Sequence, residues 1–177
     1  MILISLGSEE RSDAQGVVPH DYFDQRYKVE LATVENYHLT KETFWAEYES
    51  KRYHYALNEL TFVLRHFPNH PKALQLAELV AKMSNQPHLA IPYYEKAVGL
   101  FPQHAITHAQ YGNYLVDIGQ AEKGIERLQG ALQIDPKLAA AHYWLWDAYN
   151  KIGNQEMARQ IAEKAKELGI NVQERPK

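Results

Sequence analysis

The chain has 177 residues, 45% hydrophobic and 11% aromatic, with 19 Lys plus Arg against 22 Asp plus Glu and no Cys. A chain of this length buries roughly 70% of its unfolded surface in one core without metals or cross-links; lacking Cys, it has no disulfides, thiolate zinc, iron–sulfur clusters or Cys nucleophile. The net charge of −3 argues against an electrostatic grip on nucleic acid, and no stretch approaches the roughly 20 apolar residues of a membrane span.

Residues 1–36 stand apart as a non-repeat segment with seven acidic and three basic residues. The opening Met1-Ile2-Leu3-Ile4-Ser5-Leu6 lacks a basic start and is shorter than the roughly 7 to 15 residues of a secretory core. The expected compartment is therefore cytoplasmic as the sequence stands, and periplasmic if a signal peptide was removed. Residues 5–16 read as disordered by composition, whereas Val17 to Leu39 holds enough aromatic and aliphatic groups to dock on the rest of the chain.

From residue 37 the chain repeats. Pro68, Pro102 and Pro136 are 34 residues apart, and the same offset relates Ala56, Ala90, Gly124 and Ala158, then Ala97, Ala131 and Ala165, and also Gly119 and Gly153. A fixed period of this size marks stacked supersecondary units. In the first unit Thr40 is a suitable N-cap for a helix through Phe44 and Trp45 to Tyr48, followed by a second helix over Tyr53 to Leu64. In the second unit apolar residues recur at helical spacing from Ala73 to Met83 and again from Leu89 to Leu100, each run about 13 residues long. The polar turn Ser84-Asn85-Gln86-Pro87 joins them, and Ile118-Gly119-Gln120 and Ile152-Gly153-Asn154 do the same in units three and four. Glycine supplies a left-handed C-cap there; the unit-ending prolines stop the preceding helix. In unit four Leu145, Trp146 and Tyr149 are expected in the core, which leaves Tyr143 and Trp144 to face outward. Gly169 stops the last helix, and residues 171–177 form a polar, frayed tail.

With Pro68, Pro102 and Pro136 as position 32 and small residues at positions 8, 20 and 27, this pattern resembles the tetratricopeptide repeat family. The pairing of Tyr37-His38-Leu39-Thr40 with Phe62-Val63-Leu64-Arg65 and Phe67-Pro68-Asn69-His70-Pro71 is similar to bacterial members. The resemblance implies an all-α fold, a right-handed superhelix of antiparallel helix pairs, with four repeats at 37–70, 71–104, 105–138 and 139–170. Phe44, Glu78 and Trp146 depart from it at the small position 8, where helix crossings are expected to deviate.

In this family first helices line a concave face through positions 2, 5, 6, 9, 12 and 13. These positions hold Lys72, Gln75, Leu76, Leu79, Lys82 and Met83 in unit two, and Ile106, Ala109, Gln110, Asn113, Val116 and Asp117 in unit three. Unit four supplies Tyr143, Trp144, Asp147, Asn150 and Lys151. The resemblance implies a non-catalytic interaction module that holds a peptide or protein segment. Leu76, Leu79, Met83, Ile106, Gln110, Asn113, Tyr143, Trp144, Asp147 and Asn150 form the candidate contact set: Tyr143 and Trp144 are the aromatic anchors, with Gln110, Asn113, Asp147 and Asn150 on the ligand's backbone. An alternative is a self-associating repeat protein, a homodimer whose groove is filled by its own chain.

Nine histidines raise a third reading, a metal site on His66 with His70 or His104 with His108, because spacing of four suits zinc on a helix. Both pairs lie at proline boundaries and lack the intervening Glu of a metalloprotease helix, so surface polarity at unit junctions is the plainer expectation. His108 and His142, both at position 4, are expected to be core histidines bonded to a neighbour. No nucleophile elbow, phosphate loop or nucleotide fingerprint is present, so no catalytic residue, metal ligand or cofactor is assigned.

Overall fold

The computed structural model describes residues 16–173, and among these every regular element is helical. The expectation for residues 5–15, and that for the tail beyond residue 173, lie outside the described residues. A 3-10 turn, Gln25–Tyr27, leads into α1, Lys28–His38. A π-helical turn, Lys41–Trp45, continues as α2, Ala46–Glu49. The remaining helices are α3 Tyr53–His66, α4 Pro71–Met83, α5 Ile91–Leu100, α6 Ala105–Asp117, α7 Ala121–Ile134, α8 Ala139–Lys151 and α9 Gln155–Glu167.

The 34-residue period is visible in backbone torsions. Lys51, Asn85, Gly119 and Gly153 fall 34 apart and all turn left-handed, with φ of 58°, 55°, 86° and 76°. This is the C-cap that lets one helix stop and its antiparallel partner begin. Glycine fills it without steric cost in units three and four; Asn85 and Lys51 fill it under strain in units two and one.

Between α6 and α7 the backbones are close. A Cβ on Gly112 would lie 2.7 Å from the Gly124 carbonyl oxygen, and one on Gly124 would lie 2.5 Å from Val116 Cγ2. Unit two is built differently. Glu78 occupies the position of Gly112, its carboxylate accepts a hydrogen bond from the Tyr94 hydroxyl of α5, and the Tyr94 side chain is wholly buried. The second helix of that unit starts at Ile91, two residues after the expected Leu89, and has 10 residues. Pro87 and Pro92 flank the start, and Pro92 sits at N2, where its missing N–H costs nothing.

Unit one departs further. Tyr37, the expected first residue, lies inside α1, and the chain breaks at Leu39 before Thr40 caps the next turn, accepting from the Glu42 amide at 3.2 Å. The docking expected of Val17 to Leu39 takes a definite form. The His20 amide donates to the His66 carbonyl at 2.7 Å, and the Tyr22 amide to Asn69 Oδ1 at 2.9 Å. Glu35 meets His70 Nε2 at 2.9 Å, and His38 meets Glu59 of α3 at 2.7 Å. Asp21 binds Asn69 Nδ2 and His104 Nε2, both at 2.7 Å, so one carboxylate spans two inter-repeat junctions that are themselves 34 residues apart.

Two apolar clusters result. One runs from Val34 through units one and two to Leu115 of α6; the other runs from Ala109 of α6 to Ala158 of α9. Gly169 ends the chain's last helix with φ of 75°. Val172 then turns back and is 3% exposed, so the polar-tail expectation fails at that residue.

Candidate functional site

Helices α4, α6 and α8 lie side by side as the first helices of successive units. Asp117 at the end of α6 accepts from Lys151 Nζ of α8 at 2.8 Å, and these two residues hold the same repeat position, 34 apart. Lys151 also meets Asp147 at 2.8 Å. Burial of Lys151 works against its charge, but the two carboxylates outweigh it and hold its pKa above the usual lysine range. Gln75, Glu78, Leu79 and Lys82 of α4 share one depression of about 700 Å³ with Tyr114, Asp117 and Ile118. Of the face positions named from the sequence, Gln75, Leu79, Lys82 and Asp117 meet in this depression, and Leu79 alone of the ten candidate contact residues lines it.

The ten candidate contact residues divide. Leu79, Ile106, Asn113, Tyr143, Trp144, Asp147 and Asn150 are half-buried and Met83 is exposed. Leu76 and Gln110 are buried in the stack. Gln110 reaches the Pro71 carbonyl through Nε2 at 3.5 Å, and its Oε1 has no partner. Asn113 donates to Asp117 at 3.4 Å. Asn150 donates back to the Trp146 carbonyl at 2.9 Å, so its amide nitrogen is already engaged. The division expected between Trp146 in the core and Trp144 outside it does not hold: both are half-buried and both pack against the second apolar cluster, while the Tyr143 ring lies 6.1 Å from that of Trp146. Trp146 replaces a small residue at position 8, where the full indole does not fit between two helices.

Sequence reasoning missed the strongest titratable group on this face. Glu78 is pushed up to about 8, chiefly by burial and further by the Asp117 charge, with the Tyr94 hydrogen bond acting the other way. Its appearance at a position reserved for small residues was the available signal.

The histidines are spoken for individually. His108 Nε2 donates to the Pro102 carbonyl at 3.0 Å and His142 Nε2 to the Pro136 carbonyl at 2.9 Å, so two successive units use one device to fasten a first helix to the preceding proline. Both are bonded to a neighbour as anticipated at position 4, but His142 is in the core whereas His108 is half-exposed. The junction histidines are not mere surface polarity, because His70 is wholly buried; desolvation lowers its pKa despite Glu35, and its Nδ1 caps α4 by accepting from the Ala73 amide at 3.2 Å. His66 Nδ1 instead pairs with the Phe62 carbonyl at 3.0 Å, so the four-residue pairs do not converge. Among the described residues no group of three or more His, Asp or Glu is arranged to hold a metal. No helix among them is long and apolar enough to cross a membrane.

Asp21 completes the polar edge. Burial raises its pKa, but bonds from Asn69, His104 and the Phe23 amide overcome this and leave it below the usual carboxylate range. The Tyr22 and Phe23 rings lie 4.7 Å from His70 and 4.4 Å from His104. The N-terminal segment therefore runs along the mouths of α4 and α6, where the inter-repeat loops turn.

No protein-family model and no curated protein matches the chain. Several solved structures are similar to it. The crystal structure of MamA protein superposes with a TM-score of 0.55 at 21% identity, over 80% of this chain and 74% of that one. A MamA chain from Desulfovibrio magneticus RS-1 gives 0.54 at 28% identity, over 71% of each chain. YrrB, described as a TPR protein with an unusual peptide-binding site, gives 0.53 at 23% identity over 71% of this chain and 64% of its own length.

Proposed function

The chain has the tetratricopeptide-repeat fold, and we propose that it works as a non-catalytic adaptor that holds a peptide or protein segment against α4, α6 and α8. The observation that carries this reading is the continuity of the face. Half-buried and exposed side chains recur along three successive helices: α4 and α6 share one depression, α6 and α8 are tied by the Asp117 to Lys151 contact, and apolar Leu79, Ile106 and Tyr143 lie among polar Gln75, Asn113 and Asp147. Such a mixture suits an extended ligand, with rings and aliphatics supplying area and amides supplying register. Of the candidate set, Leu76 and Gln110 support the face from beneath, and the remaining eight are the contact residues. That YrrB is described with a peptide-binding site fits the same use of the fold.

The test is capture from source-cell lysate on the immobilised protein beside an Ile106→Ala/Tyr143→Ala variant shown by circular dichroism to be folded. A partner retained by the parent and lost by the variant is expected. Equal retention by both places binding on another surface.

A second reading has its own observation. On α1, Val29 and Tyr37 are 83% and 70% exposed, and Tyr55 and Phe62 of α3 are also exposed. This apolar surface suits a second copy of the chain. Light scattering of the parent against Val29→Asp/Tyr37→Ser decides it: a dimer that becomes a monomer supports self-association, and a monomeric parent ends it.

A further inference from the structure

The depression of about 700 Å³ between the C-terminal ends of α4 and α6 is chemically distinct from the rest of the face. Its walls are aliphatic where Leu79, Ala81, Pro87 and Ile118 meet it, and Glu78 and Asp117 are its acidic groups. Glu78 is half-buried at a position that faces the partner helix, and its Oε1 is held by Tyr94 from α5. Tyr114 from α6 is anchored by its hydroxyl to the Pro87 carbonyl at 2.8 Å, which fixes the wall opposite. Both helices end here, α4 at Met83 and α6 at Asp117, and the C-terminal ends of helices add negative potential. Two cations stand nearby. Lys82 is exposed on the rim, and Lys151 from α8 is already held by Asp117 and Asp147. Among the described residues, the one side-chain group that bonds the Glu78 carboxyl is the Tyr94 hydroxyl, which leaves it without a cationic partner.

We propose that this cavity is the specificity pocket of the face and receives a lysine or arginine side chain of the bound segment, with Glu78 as its counter-ion. Resting on the adaptor reading, this names the chemistry of the ligand. A long basic side chain fits both halves of the pocket, since its methylene stem lies along aliphatic walls while the charged head reaches the acid below. A glutamate in place of the small residue that closes the other hairpins creates the space and supplies the charge together. Glutamate or aspartate in the ligand is repelled, and an aliphatic residue leaves the buried acid without a partner.

A proton linkage follows. The free pocket keeps Glu78 protonated over most of the neutral range because its pKa stands at about 8, and an incoming cation binds the ionised form. Preference for the cation therefore rises with pH by up to about tenfold per unit between pH 6 and 8, then levels. The Tyr94 hydroxyl bonds this group, Tyr114, Asp117 and Lys82 line the cavity with it, and Lys151 is held by Asp117; of these Asp117 raises its pKa and the Tyr94 bond lowers it.

Four pools of capped random nonapeptides, fixed at the centre as Arg, Lys, norleucine or Glu, provide the probe, with retention measured on the whole chain at pH 6, 7 and 8.5. The expected result is at least tenfold greater retention of the Arg and Lys pools at pH 8.5, shrinking at pH 6. Glu78→Gln, which keeps an acceptor for Tyr94, removes both the preference and its pH dependence. Equal retention of all four pools overturns the cation pocket, as does a preference that survives Glu78→Gln. In either case the adaptor reading stands if Ile106→Ala/Tyr143→Ala lowers every pool alike. If the parent retains no pool, both readings fall.

Discussion

Units two and three are the same length and carry the same helix order, yet one residue in each gives them different interiors. In unit three Gly112 and Gly124 bring two backbones together, and the hairpin is closed by main-chain proximity and by Leu128 packed across it. In unit two Glu78 stands where Gly112 would, and α4 and α5 are joined by a carboxyl–phenol hydrogen bond, while the Tyr94 ring also stacks on Tyr111 of α6, 5.2 Å away. A repeat tolerates a large polar residue at its tightest position when the partner helix yields. Here it yields by starting late, at Ile91, after a connector that is longer than that of unit three. The difference between the two interiors is the difference between an apolar seam and one that holds an ionisable group.

That comparison breaks first at the glycines. Gly124→Ala places a Cβ 2.6 Å from the Gly112 carbonyl oxygen, and an overpacking cost of about 3 kcal/mol is expected in denaturant unfolding. A loss of the size seen at exposed sites would mean that the two backbones are not in contact. Glu78→Gln probes the other hairpin through pH. The folded-state pKa of Glu78, about 8, is above its unfolded value of 4.5. Its contribution is therefore fully present below pH 4.5 and is lost as pH rises through 8. Water in the open cavity screens the charge, so Glu78→Gln is expected to gain on the order of 2 kcal/mol relative to the parent between pH 5 and pH 9. Parallel stability curves for the two proteins count against a buried acid.

Smaller effects sharpen the contrast. On α7, Gly130 has open space where a methyl group would stand, so Gly130→Ala is expected to stabilise by about 0.5 to 1 kcal/mol, opposite in sign to Gly124→Ala on the same helix. Asn85→Gly relieves the left-handed strain that Gly119 avoids in unit three; the expected gain is a few tenths, up to about 0.5 kcal/mol, in melting experiments.

Much of this was legible because a repeat is read many times. Prolines 68, 102 and 136, the alanine columns and the position of Gly119 and Gly153 fixed hairpins and turns together, and the misfit of Glu78 pointed to the seam that deviates. What escaped had no column to belong to. Residues 16–38 dock by apolar packing of Val34 and by polar groups such as Asp21, Glu35 and His38, whose partners lie up to 83 residues away, and no local pattern encodes a pairing at that distance. The left-handed Lys51 escaped because lysine carries no turn signal; its place in the 34-residue series is what exposes it. Leu76 and Gln110 were assigned to the open face by the family resemblance, but they are buried in the stack, and the size of a neighbour is not written in the period. The two tryptophans of α8 were separated by position alone, although a bulky ring at position 8 displaces the whole packing around it.

The Asp21 strap has a mechanical consequence. A helical stack deforms like a spring whose compliance lies at the joints between coils, and here one carboxylate ties the first two joints, at Asn69 and His104, to a common point. The third joint, Asp135 to Leu138, has leucine where the others have histidine, and it lies within the second apolar cluster. The strap therefore restrains relative motion at the first two joints, whereas the third is held by the packing of α8 against α6 and α7.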